Sequence, residues 1–525
     1  MSLGEAPRQQ DLLDGPGALC TERVAADSLF AFLHRERDRL FPDSMFEDLY
    51  HHRGRRSVPP SVLACVLVMQ RLCELSDRDA CEAFTFDARW KWASGVPFEF
   101  PSFVHTVLVD FRARLRASDD PKRVFRVTRN VADQAGLIGT KRALDSTPLY
   151  DAVATMDTVT LVRSAIRGVL RVLDGDLRER VRAALKRDDD YVRAGKPVCD
   201  WDDVDEREEL IDALARDGYA ALAALEGEAL SGVQREAIEL LASVLGQDLE
   251  TGEDDRFKII RGVAKDRIIS TVDPDARHGH KTNHRRYDGY KGHIAIDPES
   301  EIITDAEVSA ANEGDGKFAE SLTEDLRAQP AIPDEPKELY GDSAYASGEN
   351  LADYQRSGLE AMTRLPEPSN RNGLFSKAAF QIDIDAETVT CPNGVTVPLR
   401  PQGDGGGVAT FGGNCHTCPL MQQCTKAAAG RTIRTSPHER LLQQQRTRQR
   451  DPDWQAAYKG TRPKVERKIA HNTDHGRGRT TRYRGRERVR QHWQLKSATT
   501  NLKRLAKLGA ACINGNWKTP DPQIA

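Results

Sequence analysis

Apolar positions recur every three to four residues from Ala25 to about Gly136, in "DSLFAFLHRERDRLF", "PPSVLACVLVMQRLCELSDRDACEAF" and "PSFVHTVLVDFRARL". That is the helical period, and it predicts a run of packed helices. Pro59 and Pro60 open the second helix, where a missing backbone donor costs nothing, and Ser102 is placed to cap the third. The expectation is a disordered tail at 1–20 followed by an all-α N-terminal domain over 21–136. A helical module of this size serves either DNA docking or dimerisation, and the pattern does not separate the two.

The period shortens at "KRALDSTPLYDAV", a strand-like stretch carrying Asp145, which makes 137–155 the first part of a different domain. Helical spacing then returns over 156–255, with Leu161, Ile166, Val169 and Leu173 on one face and Leu210, Leu214, Leu222 and Leu225 further on. Few chemically useful groups lie here, and the segment reads as a helical insertion. Over 256–365 "GHIAID" and "EIITDAEV" alternate about the turn "PES", as a β-hairpin or meander does. A helix ("NEGDGKFAESLTEDL"), a strand ("KELYGDSAYAS"), a helix ("SGENLADYQRSGL") and a strand ("EAMTRLP") follow. That order predicts a mixed α/β core interrupted by insertions. Residues 366–430 are rich in Gly, Pro and Cys, and 431–525 return to helix near "PKVERKIAH" and "VRQHWQLKSATTNLKRLAKLG".

At 525 residues, 39% hydrophobic and 30% charged, the chain is a multidomain globular protein. Its longest apolar run, "SVLACVLVMQRLC", is broken by Gln70 and Arg71 and is too short to span a bilayer. The N-terminus lacks the charged start and apolar stretch of a secretory signal, so a cytoplasmic location with no membrane partner is expected. There the ten cysteines would be reduced thiols or metal ligands. The net charge of −4 conceals a polarity: residues 431–510 carry 22 Lys and Arg against 6 Asp and Glu. Arginines alternate there with Tyr483 and Trp493, which favours a polyanionic partner over a merely solvated surface.

Asp145 and Asp342 each sit in a strand-like stretch among small or polar residues, and Glu466 lies in a third, basic stretch, "YKGTRPKVERKIAHN". A lone acid at a strand end is usually a turn former or surface charge. Three that converge repel one another, and divalent cations relieve that repulsion. Two such ions can activate an attacking oxygen and stabilise a leaving one at a phosphodiester. Gly341, Ser343 and Ala344 would leave room for that chemistry.

In this order the motifs resemble those of bacterial insertion-sequence DDE transposases. "PPSVLACVLVMQRLCELSDRDACEAFTFDARWKWASG" is similar to their InsH-type N-terminal domain, "ALDSTPL" to the first-aspartate strand and "YDGYKGHIAID" to the strands after it. "GDSAYAS" resembles the second-aspartate motif, "RPKVERKIAH" the glutamate helix, and "RYRGRERVRQHWQLKSATTNLKRL" the tail behind it. The resemblance implies an α/β ribonuclease H-like catalytic core with an all-α N-terminal domain, a helical insertion and a small Cys-rich insertion. It also implies a catalytic triad of Asp145, Asp342 and Glu466 holding Mg²⁺ (or Mn²⁺), and as substrate double-stranded DNA, both element ends and target. A homodimer on DNA is expected, because joining needs two ends together. Arg462, Lys464, Arg467 and Lys468 would neutralise phosphates near the triad, and Arg477, Arg479, Arg482, Arg484, Arg486, Arg488 and Arg490 would track the backbone.

The chain departs from the family pattern in places. Tyr458, Arg462 and Glu466 are spaced for one helix face, but Gly460 and Pro463 intervene, so the catalytic helix is expected to start near Pro463. The family's downstream lysine is replaced by Thr473, with Lys468 the nearest lysine. Glu439 and Glu487 are rival third acids. A non-catalytic DNA-binding derivative, or a metal-dependent nuclease that does not join ends, remain alternatives.

Two further clusters carry candidate chemistry. Cys391, Cys415, Cys418 and Cys424 lie within 34 residues, the middle two as Cys-x₂-Cys, and suit a structural Zn²⁺; reduced thiols packed in a small β-rich insertion are the plainer alternative. Near "GYKGH", His293 reads best as a hydrogen-bonded strand histidine, between Asp288 and Asp297. His278, His280 and His284, beside Lys281, Arg285 and Arg286, suit a phosphate-contacting loop better than a metal site.

Overall fold

A computed structural model describes residues 1–5, 15–151, 155–282, 285–369, 373–473 and 478–520. The first part is helical as expected: α1 (Gly15–Arg23), α2 (Leu29–Leu40), α3 (Pro60–Leu72), α4 (Asp77–Phe86), α5 (Ala88–Ala93), α6 (Thr106–Ala117) and α7 (Arg123–Gln134). Helix α3 is apolar nearly all round and is buried from Pro60 to Arg71. Ser28 caps α2, and Ser76 with Asp79 forms a capping box on α4. Two expectations fail here. The first residues are not a loose tail: the Ser2 amide donates to Arg55 O (2.9 Å), the Gly4 amide to Ser57 Oγ (3.1 Å), and α1 already begins at Gly15. Helix α6 starts at Thr106 rather than after Ser102, because residues 101–104 pass over the domain without helical hydrogen bonds.

Strand β1 (Lys141–Tyr150) leads into the helical insertion, α8 (Thr158–Val172), α9 (Gly175–Ala184), α10 (Val204–Ala223) and α11 (Gly232–Asp248), closed by a hairpin of β2 (Leu249–Thr251) and β3 (Phe257–Ile259). The insertion has its own core, in which the stripe Leu161, Ile166, Val169, Leu173, Leu210 and Leu214 is buried. The main chain of the sheet resumes with β4 (Arg277–Thr282), β5 (Arg285–Ile296) and β6 (Ile303–Ala310), then α12 (Ala319–Leu322), α13 (Glu324–Ala328), β7 (Lys337–Gly341), α14 (Gly348–Arg356) and β8 (Leu359–Thr363).

The sheet runs β4-β5-β1-β7-β8, with β6 also paired to β5. Neighbours are antiparallel from β4 to β1 and parallel from β1 to β8. The "PES" turn between β5 and β6 is held by Asp297, which accepts from the amides of Glu299 (3.0 Å) and Ser300 (2.8 Å).

Residues 381–435 fold as two small three-stranded sheets, β9 (Gln381–Asp383), β10 (Thr388–Thr390) and β11 (Thr396–Pro398), then β12 (Arg400–Pro401), β13 (Gly407–Thr410) and β14 (Thr432–Thr435), with α15 (Met421–Cys424) before the last strand. After it come α16 (Glu439–Arg448), α17 (Pro452–Thr473), α18 (Arg486–Lys507) and a terminal hairpin of β15 (Ala511–Ile513) and β16 (Asn516–Lys518).

Helices cover both faces of the main sheet. On one, Leu322, Leu326, Leu351 and Tyr354 pack against Leu144, Ala295 and Leu339. On the other lies α18, whose Trp493 rests on Gly292 and donates from Nε1 to His293 O (3.0 Å). The opposite side of α18 meets the N-terminal helices: the Gln491 amide donates to Arg112 O (3.0 Å), and Asn501 links Thr128 (3.1 Å) to the backbone of Ile303 (2.8 Å). One continuous core therefore runs from α2 and α3 through α18 into the sheet. The N-terminal helices and the sheet share that core.

Candidate active site

Strands β1 and β7 run parallel, with Lys141, Arg142 and Ala143 opposite Glu338, Leu339 and Tyr340. Two residues further at the same offset stand Asp145 and Asp342. Strand β7 ends at Gly341, whereas β1 continues to Tyr150 along β5, meeting Thr480 on its other side at Tyr150. The pairing thus opens where the two carboxylates emerge, the position at which open α/β sheets form crevices. Asp145 accepts from the Ser146 amide (2.9 Å) and Asp342 from the Ala344 amide (2.9 Å), which fixes one oxygen of each. The glycine before Asp342 serves a different purpose from the one expected. A Cβ on Gly341 would come within 2.9 Å of Tyr345, so its smallness admits the ring beneath the strand, while Ser343 and Ala344 are exposed and leave the approach open.

Helix α17 closes the cleft. It does not begin at Pro463: it starts at Pro452 and runs through the proline. An interior proline costs about 3 kcal/mol. Packing on both sides offsets that, with Trp454 stacked on Tyr458 (5.1 Å between rings) before it and Val465 and Ile469 buried after it. The continuous helix puts Tyr458, Arg462 and Glu466 on one face at successive turns. The Tyr458 hydroxyl donates to Gly341 O (3.2 Å), the Arg462 Nη2 lies 3.0 Å from Asp145 Oδ1, and its Nη1 lies 3.5 Å from Glu466 Oε1. Glu466 itself is 60% exposed and reaches into open space. The cleft has a volume of about 520 Å³, and Asp145, Asp342 and Glu466 all line it. Its rivals do not. Glu439 is buried against Lys377 (2.6 Å), and Glu487 pairs with Arg490 (3.0 Å) on α18.

Two lining residues carried no sequence signal. Lys291 Nζ donates to Asp315 Oδ1 (2.7 Å) and to Glu313 O (2.7 Å), and Ser146 Oγ donates to Asp315 Oδ2 (2.6 Å). Lys291 is mid-strand and Asp315 lies in a single 3₁₀ turn; only the fold brings them together beside Asp145. The two aspartates are tuned apart. Burial raises the Asp145 carboxyl above its ordinary range, against Arg462 and the Ser146 amide, and the charge of Asp342 adds to the rise. Burial opposes ionisation of Asp315 too, but the hydrogen bonds from Lys291 and Ser146 outweigh it and hold that carboxyl low.

His293 is the buried strand histidine. Its Nε2 bonds Ser309 Oγ (2.8 Å), its ring stacks on Phe318 (4.5 Å), and burial pushes its pKa down to about 4. Asp288 bonds His278 Nδ1 (2.6 Å), and Asp297 holds its turn; His280 and Lys281 reach the cleft rim, and His284 lies outside the described residues.

The predicted DNA-contacting cations sit in different surroundings. Arg462 belongs to the cleft. Lys464 lies 3.5 Å from Glu299, Arg467 and Lys468 pair with Glu301 (3.2 Å for Lys468), and Arg490 pairs with Glu307 (3.1 Å). Arg482 donates to the carbonyls of Glu74 (2.8 Å) and Leu75 (3.0 Å), and Arg486 lies 3.8 Å from Glu313. Arg479 lines the cleft, Arg484 and Arg488 are exposed, and Arg477 lies outside the described residues.

Among the described residues, no group of three or more His, Cys, Asp or Glu side chains is arranged as it would be about a metal ion. The donor chemistry nevertheless fits. The cleft acids are all oxygen donors, as Mg²⁺ and Mn²⁺ require, and a guanidinium already supplies positive charge between two of them. In the small insertion Cys391, Cys415, Cys418 and Cys424 line one cavity of about 20 Å³, room for a single atom, and none is in a disulfide. The Arg431 amide donates to Cys415 Sγ (3.4 Å), and burial raises the Cys424 thiol.

Residues 21–114 match the family model of a transposase domain (DUF772), and residues 390–506 that of a transposase DDE domain. The second match contains the four cysteines, Arg462 and Glu466; Asp145 and Asp342 lie outside both. No curated protein and no solved structure matches the chain. Both matched models describe transposase domains, and together they cover less than half of the chain.

Proposed function

We propose that this chain, which carries transposase domains in both its N-terminal and C-terminal parts, binds the terminal inverted repeats of a bacterial insertion sequence and catalyses metal-dependent cleavage and transfer of DNA strands. The observation that carries this reading is the register of Asp145 and Asp342 at the diverging ends of two parallel strands, with Glu466 facing them from α17. The strand order, antiparallel β6-β5-β1 continued by parallel β7 and β8 and covered by helices, supports a ribonuclease H-like core.

Asp145 and Asp342 would hold Mg²⁺ or Mn²⁺, with Glu466 completing the oxygen donors; such ions, when bound, activate the attacking oxygen and stabilise the leaving one. The protein's own groups prepare that place. Arg462 orients Asp145 and keeps its charge compensated. Tyr458 ties α17 to the backbone immediately before Asp342. Lys291, fixed by Asp315, and Arg479 put positive charge on the wall along which a phosphodiester would lie. Water attacks first, and the freed 3′-hydroxyl attacks the target next, with no covalent protein intermediate.

The exposed Arg484 and Arg488 would hold the backbone of the flanking duplex, and the N-terminal helices would read the element's ends. Two copies are needed to bring two ends together. The four cysteines would hold a structural Zn²⁺ that fixes the insertion beside α16. Among the described residues no helix is long and apolar enough to cross a membrane, and the proposed site of action is the cytoplasm.

Joining is tested with pre-cut repeat ends bearing free 3′-hydroxyls and a supercoiled target plasmid. End-to-target products confirm transfer. Cutting of uncut ends without such products makes the chain a nuclease, and specific binding without cutting makes it a DNA-binding derivative.

A further inference from the structure

Helix α17 has a second groove on the side away from the cleft. Lys468 and His471 project into it from α17, and Thr500, Lys503, Arg504 and Lys507 face them from α18. The four α18 positions are spaced three, four and seven apart, one stripe of a helix. The groove encloses about 280 Å³, and its single acid is Glu301, from the β5–β6 turn. Glu301 is already engaged by Arg467 and by Lys468, whose ammonium is buried and has its pKa lowered by that burial. Arg504 donates from Nε to Ser300 O (2.9 Å), which fixes its guanidinium at the groove wall. Lys503 and Lys507 are exposed and have no acidic partner among the described residues.

Like charges three and four apart on one helix face repel. The negative end of a helix dipole favours a cation in the last turn, which accounts for one or two of these residues. It does not account for a stripe of α18 cations set against Lys468 of α17 over a hollow whose one acid is already neutralised. Such a hollow is complementary to phosphate.

We propose that this groove is a second DNA-contacting site, which grips backbone phosphates of duplex DNA outside the cleft through Lys503, Arg504 and Lys507. The inference rests on the DNA-processing reading. DNA is chosen over a free anion because one helix joins the groove to the cleft: Arg462 and Glu466 leave one side of α17, Lys468 and His471 the other. DNA held here bears directly on the helix that carries the third acid.

The test uses the full-length Lys503→Glu/Lys507→Glu variant beside wild type. Both residues are exposed, and matching melting curves establish that the fold is kept. Affinity for a duplex carrying the terminal repeat is measured against salt concentration. The proposal predicts a slope of log K on log salt shallower by about 2, near one unit per lost phosphate contact. A slope equal to that of wild type, with wild type binding normally, overturns the groove and leaves the functional reading intact. Wild type that binds no duplex at all overturns both. Calorimetric titration with inorganic phosphate separates the remaining source: saturable binding lost in the variant, with an unchanged DNA slope, makes this a small-anion site and overturns the DNA assignment.

Discussion

The Arg462 guanidinium lies 3.0 Å from Asp145 and 3.5 Å from Glu466, so one cation on α17 spans two of the acids that line the cleft. Arg462 is nearly buried, and its Nε and Nη1 have no hydrogen-bond partner. A buried pair loses several kcal/mol when one member is removed, because the other charge stays behind. Arg462→Ala should therefore destabilise the protein by about 3 kcal/mol in chemical denaturation. Arg462→Lys, which keeps the charge but not the fork, should recover part of that.

Asp145 and Asp315 should titrate apart in protein free of divalent metal. The Asp145 carboxyl is raised, so its neutral form favours the fold, and that contribution fades as pH rises through its folded value. The Asp315 carboxyl is lowered, so its ionised form favours the fold, and that contribution is lost as pH falls through its folded value. Carboxyl carbon NMR, assigned with Asp→Asn variants, should place Asp145 above the ordinary aspartate value of about 3.9 and Asp315 below it. The reverse order would show that Lys291 is not paired as described.

Gly292 carries the seat of α18. A Cβ there would lie 2.7 Å from Trp493 Cε2 and 2.9 Å from Cζ2, inside a fully packed layer. Gly292→Ala should cost about 1–3 kcal/mol by overpacking, read as a shift in the denaturation midpoint. Trimming the ring with Trp493→Phe in the same chain should relieve part of the clash, so the two changes should couple in a double-mutant cycle.

Most of the frame was visible in the amino-acid pattern, because each element announces itself locally. Asp145 and Asp342 follow the short strand-forming stretches "KRAL" and "KELYG", and the apolar stripe of α8 and α10 is helical and buried apart from the half-buried Leu222. What stayed hidden depends on distance along the chain. Lys291 and Asp315 meet only through strand register and a short turn. Pro463 reads as a helix start by local rules, and packing by Trp454, Val465 and Ile469 overrides them. The basic block reads as one DNA-facing surface, but which of its cations are neutralised depends on acids far away: Lys496 pairs with Glu74, Arg490 with Glu307 and Lys468 with Glu301. The packing of α18 against both the N-terminal helices and the sheet was likewise invisible in sequence order.

The cysteine cavity gives a prediction independent of DNA. Purified protein should carry about one equivalent of zinc by elemental analysis, and Cys418→Ser should lower both the zinc content and the stability of the insertion toward proteolysis. Less than half an equivalent in wild type would leave four packed thiols and no metal.

The central claim is that Asp145, Asp342 and Glu466 form a metal-dependent phosphodiester-cleaving site, and strand cleavage tests it most directly. A duplex carrying the terminal repeat is incubated with wild type or Asp342→Asn in Mg²⁺, Mn²⁺ or chelator. Wild type should cut at the repeat boundary only with metal. Asp342→Asn should bind equally well but cut on the order of 10³-fold more slowly, the several kcal/mol that a lost metal ligand removes. Cutting by Asp342→Asn at the wild-type rate, or cutting by wild type in chelator, would contradict the assignment.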